Sequence, residues 1–187
     1  MARIVLGLIG EMAAGKTTAT AYLEAHYHAE TFRFSTSLRD ILTRLHKEHT
    51  RDNLQQLSTV LRGLFGDDVL SKVIAQDVAK ADAEFIVVEG IRRPGDIAYL
   101  RDLPNFYLVG LQTDEKIRFE RLRSRSENPD DAGKSWEDFQ KESHQESEEK
   151  IRELIQKADY IIENDSSFAD TYQKIDAVAH EIKAVAT

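Results

Sequence analysis

The sequence predicts an α/β fold: a parallel sheet of five strands with helices on both faces. Three observations predict it. Short apolar runs without charge recur at residues 4–9, 85–88 and 106–111, each the length of a strand buried on both faces. Between and after them lie segments with apolar residues at helical spacing, and strands alternating with helices are what a parallel sheet requires. The first run leads directly into Gly10-Glu11-Met12-Ala13-Ala14-Gly15-Lys16-Thr17, which has the form G-x-x-x-x-G-K-T.

That octet is the phosphate-binding loop of P-loop nucleotide enzymes, so the expected architecture is a three-layer α/β/α P-loop NTPase fold. Its context fits, with a strand before it and a helix after it from Thr18 onward. Gly10 and Gly15 are expected to take torsions that a Cβ would forbid. Glu11, Met12, Ala13 and Ala14 can then turn their N–H groups inward around a phosphate. The helix that follows adds its unpaired N–H groups and its positive dipole end. Lys16 is expected at the β- and γ-phosphates, Thr17 on Mg2+ through its hydroxyl, and Thr18 within the same phosphate site. The motif says that a nucleoside triphosphate binds. It does not say which reaction follows.

The 187 residues suit one domain with a sizeable core. There is no cysteine, which excludes disulfides and thiolate metal sites. No secretory leader and no run approaching a membrane span of roughly 20 residues is read, so a cytoplasmic enzyme is expected. The net charge of -8 disfavours nucleic acid as a partner. Basic residues nevertheless cluster between Lys116 and Arg125, a local pattern that suits a small anionic ligand. The expected partners are small-molecule nucleotides, with no membrane and no nucleic acid. The chain is expected to act as a monomer or homodimer.

Taken in order, residues 31–34 read as strand two. A serine or threonine before Leu38 is expected to cap the next helix, whose core face is Leu38, Ile41, Leu42 and Leu45. That places Arg39 in the first turn, as a solvated arginine or as one aimed at a second phosphate. Thr50 opens another helix that Gly66 stops, and Asp67 caps the one after it. Residues 38–80 together read as a helical insertion between strands two and three. Residues 85–88 form strand three. Glu89 ends it at the carboxyl edge of the sheet, where ligands bind in open α/β folds. Glu89 is therefore a candidate for the Mg2+ region, and Arg92 and Arg93 leave the same edge.

Residues 106–111 form strand four. Thr113 is expected to cap the helix bearing Arg118, Arg121 and Arg125, which share one face. That face is either functional or a solvated flank. Residues 126–134 read as a polar loop, Ser135 as a helix cap, and the acidic helices to Lys157 as solvated faces. Residues 159–163 form the fifth strand. Its exit turn at Asn164 offers backbone groups to an adenine ring or is a plain turn, and the last helix carries Ile175, Val178 and Ile182. The expected division is a core of 1–34, 81–117 and 150–187, an acceptor-binding helical region of 35–80 and a lid of 118–149.

These residues resemble the nucleoside monophosphate kinases of the P-loop class over nearly the whole chain. In that class an arginine on the helix after strand two holds the acceptor phosphate, and the Ser35-to-Arg39 segment is similar to that element. Glu89-Gly90-Ile91-Arg92-Arg93 is similar to the acid, glycine and arginine that follow strand three, and Arg121, Arg123 and Arg125 occupy the place of lid arginines. Residues 50–66 look like the acceptor-side helix of deoxynucleoside monophosphate kinases, which implies acceptor contacts for Arg51, Gln55 and Arg62. The segment 158–164 is similar to one in dephospho-coenzyme A kinases, although Glu11 and Met12 stand where that family has small residues.

The resemblance implies an ATP-dependent phosphotransferase acting on a (deoxy)nucleoside monophosphate, with dTMP or another deoxynucleotide as the candidates. Lys16, Arg92, Arg93, Arg121 and Arg125 would carry the transfer by positioning and charge neutralisation. ATP and Mg2+ are the implied donor and cofactor. A hydroxyl acceptor, as in a dephospho-coenzyme A kinase, would want a carboxylate base, and none is evident after the P-loop helix. A regulatory P-loop ATPase is the other alternative.

Overall fold

The computed structural model describes residues 3–124, 133–144 and 146–186. Five strands, β1 (Ile4–Gly10), β2 (Glu30–Arg33), β3 (Phe85–Glu89), β4 (Phe106–Gln112) and β5 (Tyr160–Glu163), form one sheet in the order β2-β3-β1-β4-β5. Every pairing is parallel. The α-helices of the described residues are α1 (Lys16–Tyr27), α2 (Phe34–Arg44), α3 (Arg51–Phe65), α4 (Val69–Lys80), α5 (Glu115–Ser124), α6 (Trp136–Ser143), α7 (Glu146–Ile155) and α8 (Phe168–Val185).

The period of two along β1 divides the core. Val5 and Ile9 face one layer with Phe34, Leu38, Ile74, Leu108 and Leu154. Ile4, Leu6 and Leu8 face the other with Leu23, Val87, Ile175 and Ile182. A strand wholly apolar on both faces must be covered on both, and this is why the central run carries no polar residue. The crossovers place every strand's carboxyl end on one edge. β1 delivers the glycine loop there, β3 delivers Glu89, and β5 delivers Asn164. None of the described helices is long and apolar enough to cross a membrane.

Several local expectations shift. α2 begins at Phe34 with Arg33 at its N-cap and no side-chain cap, so Ser35 and Ser37 lie inside the helix. Arg39 is thereby in the second turn. Asp68 rather than Asp67 holds the N-cap position of α4, also without a side-chain bond. Thr113 does not cap α5. Asp114 does, its Oδ1 accepting from the Lys116 N–H at 2.9 Å. Thr50 and Ser135 cap as their sequence contexts predict, and Ser167 caps α8 in the same way. The helices read as solvated acidic faces prove amphipathic. Phe139, Ile151, Leu154 and Ile155 are buried, and α7 packs on β1 and β4.

Candidate active site

Gly15 has φ 97°, and the preceding Ala13 has φ 60°, so the loop is curled through the left-handed region twice. Gly10 differs from expectation. It is the last residue of β1 and is not among the glycines with positive φ. What forbids a side chain there is close approach, since a Cβ would stand 2.9 Å from the Leu111 carbonyl oxygen.

The loop is braced from several sides by residues whose roles the sequence did not show. The Glu11 carboxylate accepts from Arg152 of α7 at 2.8 Å and from Arg118 of α5 at 3.3 Å. Arg118 is 4% exposed, not a flank. It also reaches the Thr113 and Met12 carbonyls and lies 5.5 Å from the Phe139 ring centroid. The Met12 N–H donates to Glu148 at 3.1 Å. Asn164 is buried, and its side-chain amide donates to the Ala14 carbonyl at 2.9 Å while accepting from Thr171 at 2.6 Å. Its own N–H donates to Gln112 at 2.8 Å. Asn164 is therefore a brace of the loop, and its N–H is not open to an adenine ring. Thr113 Oγ1 lies within reach of the Ala14 and Asn164 carbonyls, at 3.2 and 3.3 Å. The signals were faint: a threonine, an asparagine and an acidic helix have many ordinary uses.

Above the loop lies a cleft of about 820 Å³. Residues Gly10, Met12 to Thr18 and Asn164 line its floor, and Arg121, Arg92, Arg51 and Gly90 line its walls. Glu142 and Glu148 face it too. Lys16 Nζ donates to the Gly10 and Glu11 carbonyls at 2.5 and 2.8 Å, folded along its own loop. Arg121 Nη1 is buried beside Gly15 and has no hydrogen-bond partner among the described residues. A buried guanidinium donor left unpaired is costly, so an anion on the loop is its natural partner.

The candidates divide accordingly. Lys16, Thr17, Thr18, Arg51, Gly90, Arg92 and Arg121 come together around one cleft. Ser35, Arg39, Gln55 and Arg93 are not among its lining residues, and Arg39, Gln55 and Arg93 are exposed. Arg125 lies outside the described residues. Arg62, read as an acceptor contact, is instead 8% exposed and paired with Asp96 at 2.7 Å. It also bonds Ser58 and the Asp67 carbonyl. Asp96 in turn accepts from the Arg92 and Arg93 N–H groups at 2.8 and 3.0 Å. Arg62 thus braces the segment that presents Arg92.

For Mg2+, Thr17 is exposed and lines the cleft, as a single protein ligand to a phosphate-bound ion should. Glu89 does not line the cleft. Its carboxylate accepts from Thr20 on α1 and from Arg33 of β2, the latter at 2.6 Å. Thr17 fits the ion, and Glu89 holds the helix that carries Thr17.

No protein-family model matches the chain. It is similar to a UPF0200 protein of Methanocaldococcus jannaschii, with 26% identity over 186 residues that cover 96% of this chain and 90% of that one. In structure it is similar to shikimate kinase from Bacteroides thetaiotaomicron, at TM-score 0.65 and 18% identity, covering 96% of this chain and 98% of that one. It is also similar to dephospho-CoA kinase from Campylobacter jejuni, at TM-score 0.50 and 16% identity, covering 96% and 97%. At these identities the likeness shows the fold, which is that of the P-loop kinases.

Proposed function

We propose that the protein is an ATP-dependent phosphotransferase whose acceptor is a nucleoside monophosphate, with deoxynucleotides as the first candidates. One observation carries this reading. Arg51 and Arg92, from two segments outside the P-loop, line the same cleft as Lys16 and Thr17. Guanidinium groups at that place suit a second phosphate beside the donor. In this reading the loop and Lys16 hold the donor phosphates, Thr17 holds Mg2+, and Arg121 neutralises charge on the transferring group. Lys16 would leave the loop carbonyls for the phosphates when the donor binds. Mg2+, held there by Thr17, would supply charge neutralisation to the donor phosphates.

A second reading is a kinase acting on a hydroxyl, of the dephospho-coenzyme A type. The likeness to a dephospho-CoA kinase supports it, and so do Glu142 and Glu148. Both carboxylates line the cleft from α6 and α7, although neither follows the P-loop helix, and either would be the base in this reading.

A coupled ADP-release assay with ATP and Mg2+ separates the two over a panel of AMP, CMP, UMP, GMP, dTMP, the other deoxynucleotides and dephospho-coenzyme A. Turnover stimulated by one or a few monophosphates is the expected result. Stimulation by dephospho-coenzyme A alone selects the second reading. Hydrolysis indifferent to every acceptor would sink both and point to a regulatory ATPase.

A further inference from the structure

Phe168, the first residue of α8, is 68% exposed and lines the cleft beside Asn164 and Thr18. It is the outer ring of a ladder. Its centroid stands 6.3 Å from Tyr172 with planes 21° apart. Tyr172 stacks on Tyr22 of α1 at 4.2 Å, and Tyr22 stacks on His26 at 4.3 Å. The hydroxyls of Tyr22 and Tyr27 both donate to Asp176, at 2.8 Å each. That shared carboxylate pins the Tyr22 ring, and its hydrogen bond pushes the Tyr22 hydroxyl above the ordinary tyrosine range. The ring at the cleft thus stands on a fixed support.

Polar side chains of the neighbouring turn are committed elsewhere. Asn164 is spent on Ala14 and Thr171. Asp165 accepts from the Asp114 N–H at 2.7 Å, Ser166 donates to Asp170, and Ser167 caps α8. A site discriminates between bases of similar shape when its polar groups pair with one base and are left unpaired by the other. Stacking lacks that lever, because every base has a π-face.

We infer that Phe168 is the platform on which the purine of the phosphoryl donor stacks, and that the donor base is held by this ring rather than read by side-chain hydrogen bonds, so that adenine and guanine nucleotides are taken nearly alike. The inference rests on residues 10–18 being the donor phosphate site.

Calorimetric titration of ADP and of GDP, each with Mg2+ and without acceptor, tests it on the wild type, Phe168→Ala and Phe168→Trp. Wild-type Kd values for the two nucleotides should agree within about fivefold, a difference of roughly 1 kcal/mol. Phe168→Ala should weaken both in parallel by about 5- to 100-fold, and Phe168→Trp should restore both. An ADP preference above about thirtyfold would overturn the inference, since that requires a base-reading hydrogen bond. So would a Phe168→Ala variant that binds both nucleotides as the wild type does. Failure of the wild type to bind either nucleotide would instead remove the donor site itself, whichever acceptor the panel identifies.

Discussion

On the donor side of the cleft, Glu11 is held by Arg118 and Arg152, Met12 by Glu148, and Ala14 by Asn164 and Thr113. On the side proposed for the acceptor, no hydrogen bond among the described residues engages the guanidinium groups of Arg39, Arg51 or Arg92, and all three are exposed. The contrast matches what each half would do. Triphosphate geometry is the same in every turnover, so its cradle can be fixed during folding and need not reorganise at the moment of reaction. A second substrate must enter and leave, and exposed arginines on separate segments can be drawn together by its charge. On that side the buried Arg62–Asp96 pair fixes the backbone of the arginine segment and leaves the Arg92 side chain exposed.

The largest effect should come from the rigid side. Lys16→Ala is expected to lower ATP turnover, with whichever acceptor is used, by at least about 10²–10³-fold, the loss typical when a preorganised charge-stabilising group is removed. Thermal stability should hold, because the bonds of Lys16 to the Gly10 and Glu11 carbonyls lie within its own loop and join no distant elements. Coupled ADP release measures the first and a melting curve the second. Turnover that survives the substitution would take the loop out of the chemistry and erase the contrast between the two sides.

Next comes the brace of the acceptor side. Arg62→Ala leaves Asp96 buried at 2% exposure without its cation. Removing one partner of a buried pair costs about 3–5 kcal/mol, a loss that urea unfolding can read. Resemblance alone placed Arg62 on the substrate. An Arg62→Ala protein with wild-type stability but a raised acceptor KM would return it there and blur the division between brace and contact.

Where the sequence could be read and where it could not follows the same division. The central strands were legible because burial on both faces leaves only apolar residues, and the loop was legible because its glycines, lysine and threonine have few other reasons to stand at that spacing. Thr50 and Ser135 were legible because a cap is a local bond. The braces were not. Glu11 meets Arg118 and Arg152 across more than 100 residues of chain, and nothing local marks any of the three as partners. Arg62 and Arg92 illustrate the limit most plainly. Both are arginines on acceptor-side segments, and only the fold shows that one is sealed against Asp96 while the other lines the cleft. Arg33 went unnoticed for a similar reason: its partner Glu89 lies on the adjacent strand, a register that the sequence does not state.

The smallest effects should separate the exposed arginines from one another. Arg92→Ala is expected to raise the acceptor KM by about 10- to 100-fold, the worth of one charge-assisted hydrogen bond, while donor Kd stays put. Arg39→Ala and Arg93→Ala should change it by less than about threefold, since neither side chain lines the cleft and exposed cations away from a ligand carry little. Steady-state kinetics with the acceptor varied at saturating ATP, alongside ADP titrations, resolves the three. Equal losses in all three variants would mean that the acceptor draws α2 and the Arg93 side chain inward on binding. The side proposed for the acceptor would then close as a unit around its substrate, and the division of arginines seen without a ligand would describe only its open form. A fall in donor affinity with Arg92→Ala would be more damaging, because it would set that residue on the first phosphate and leave the second without its principal cation.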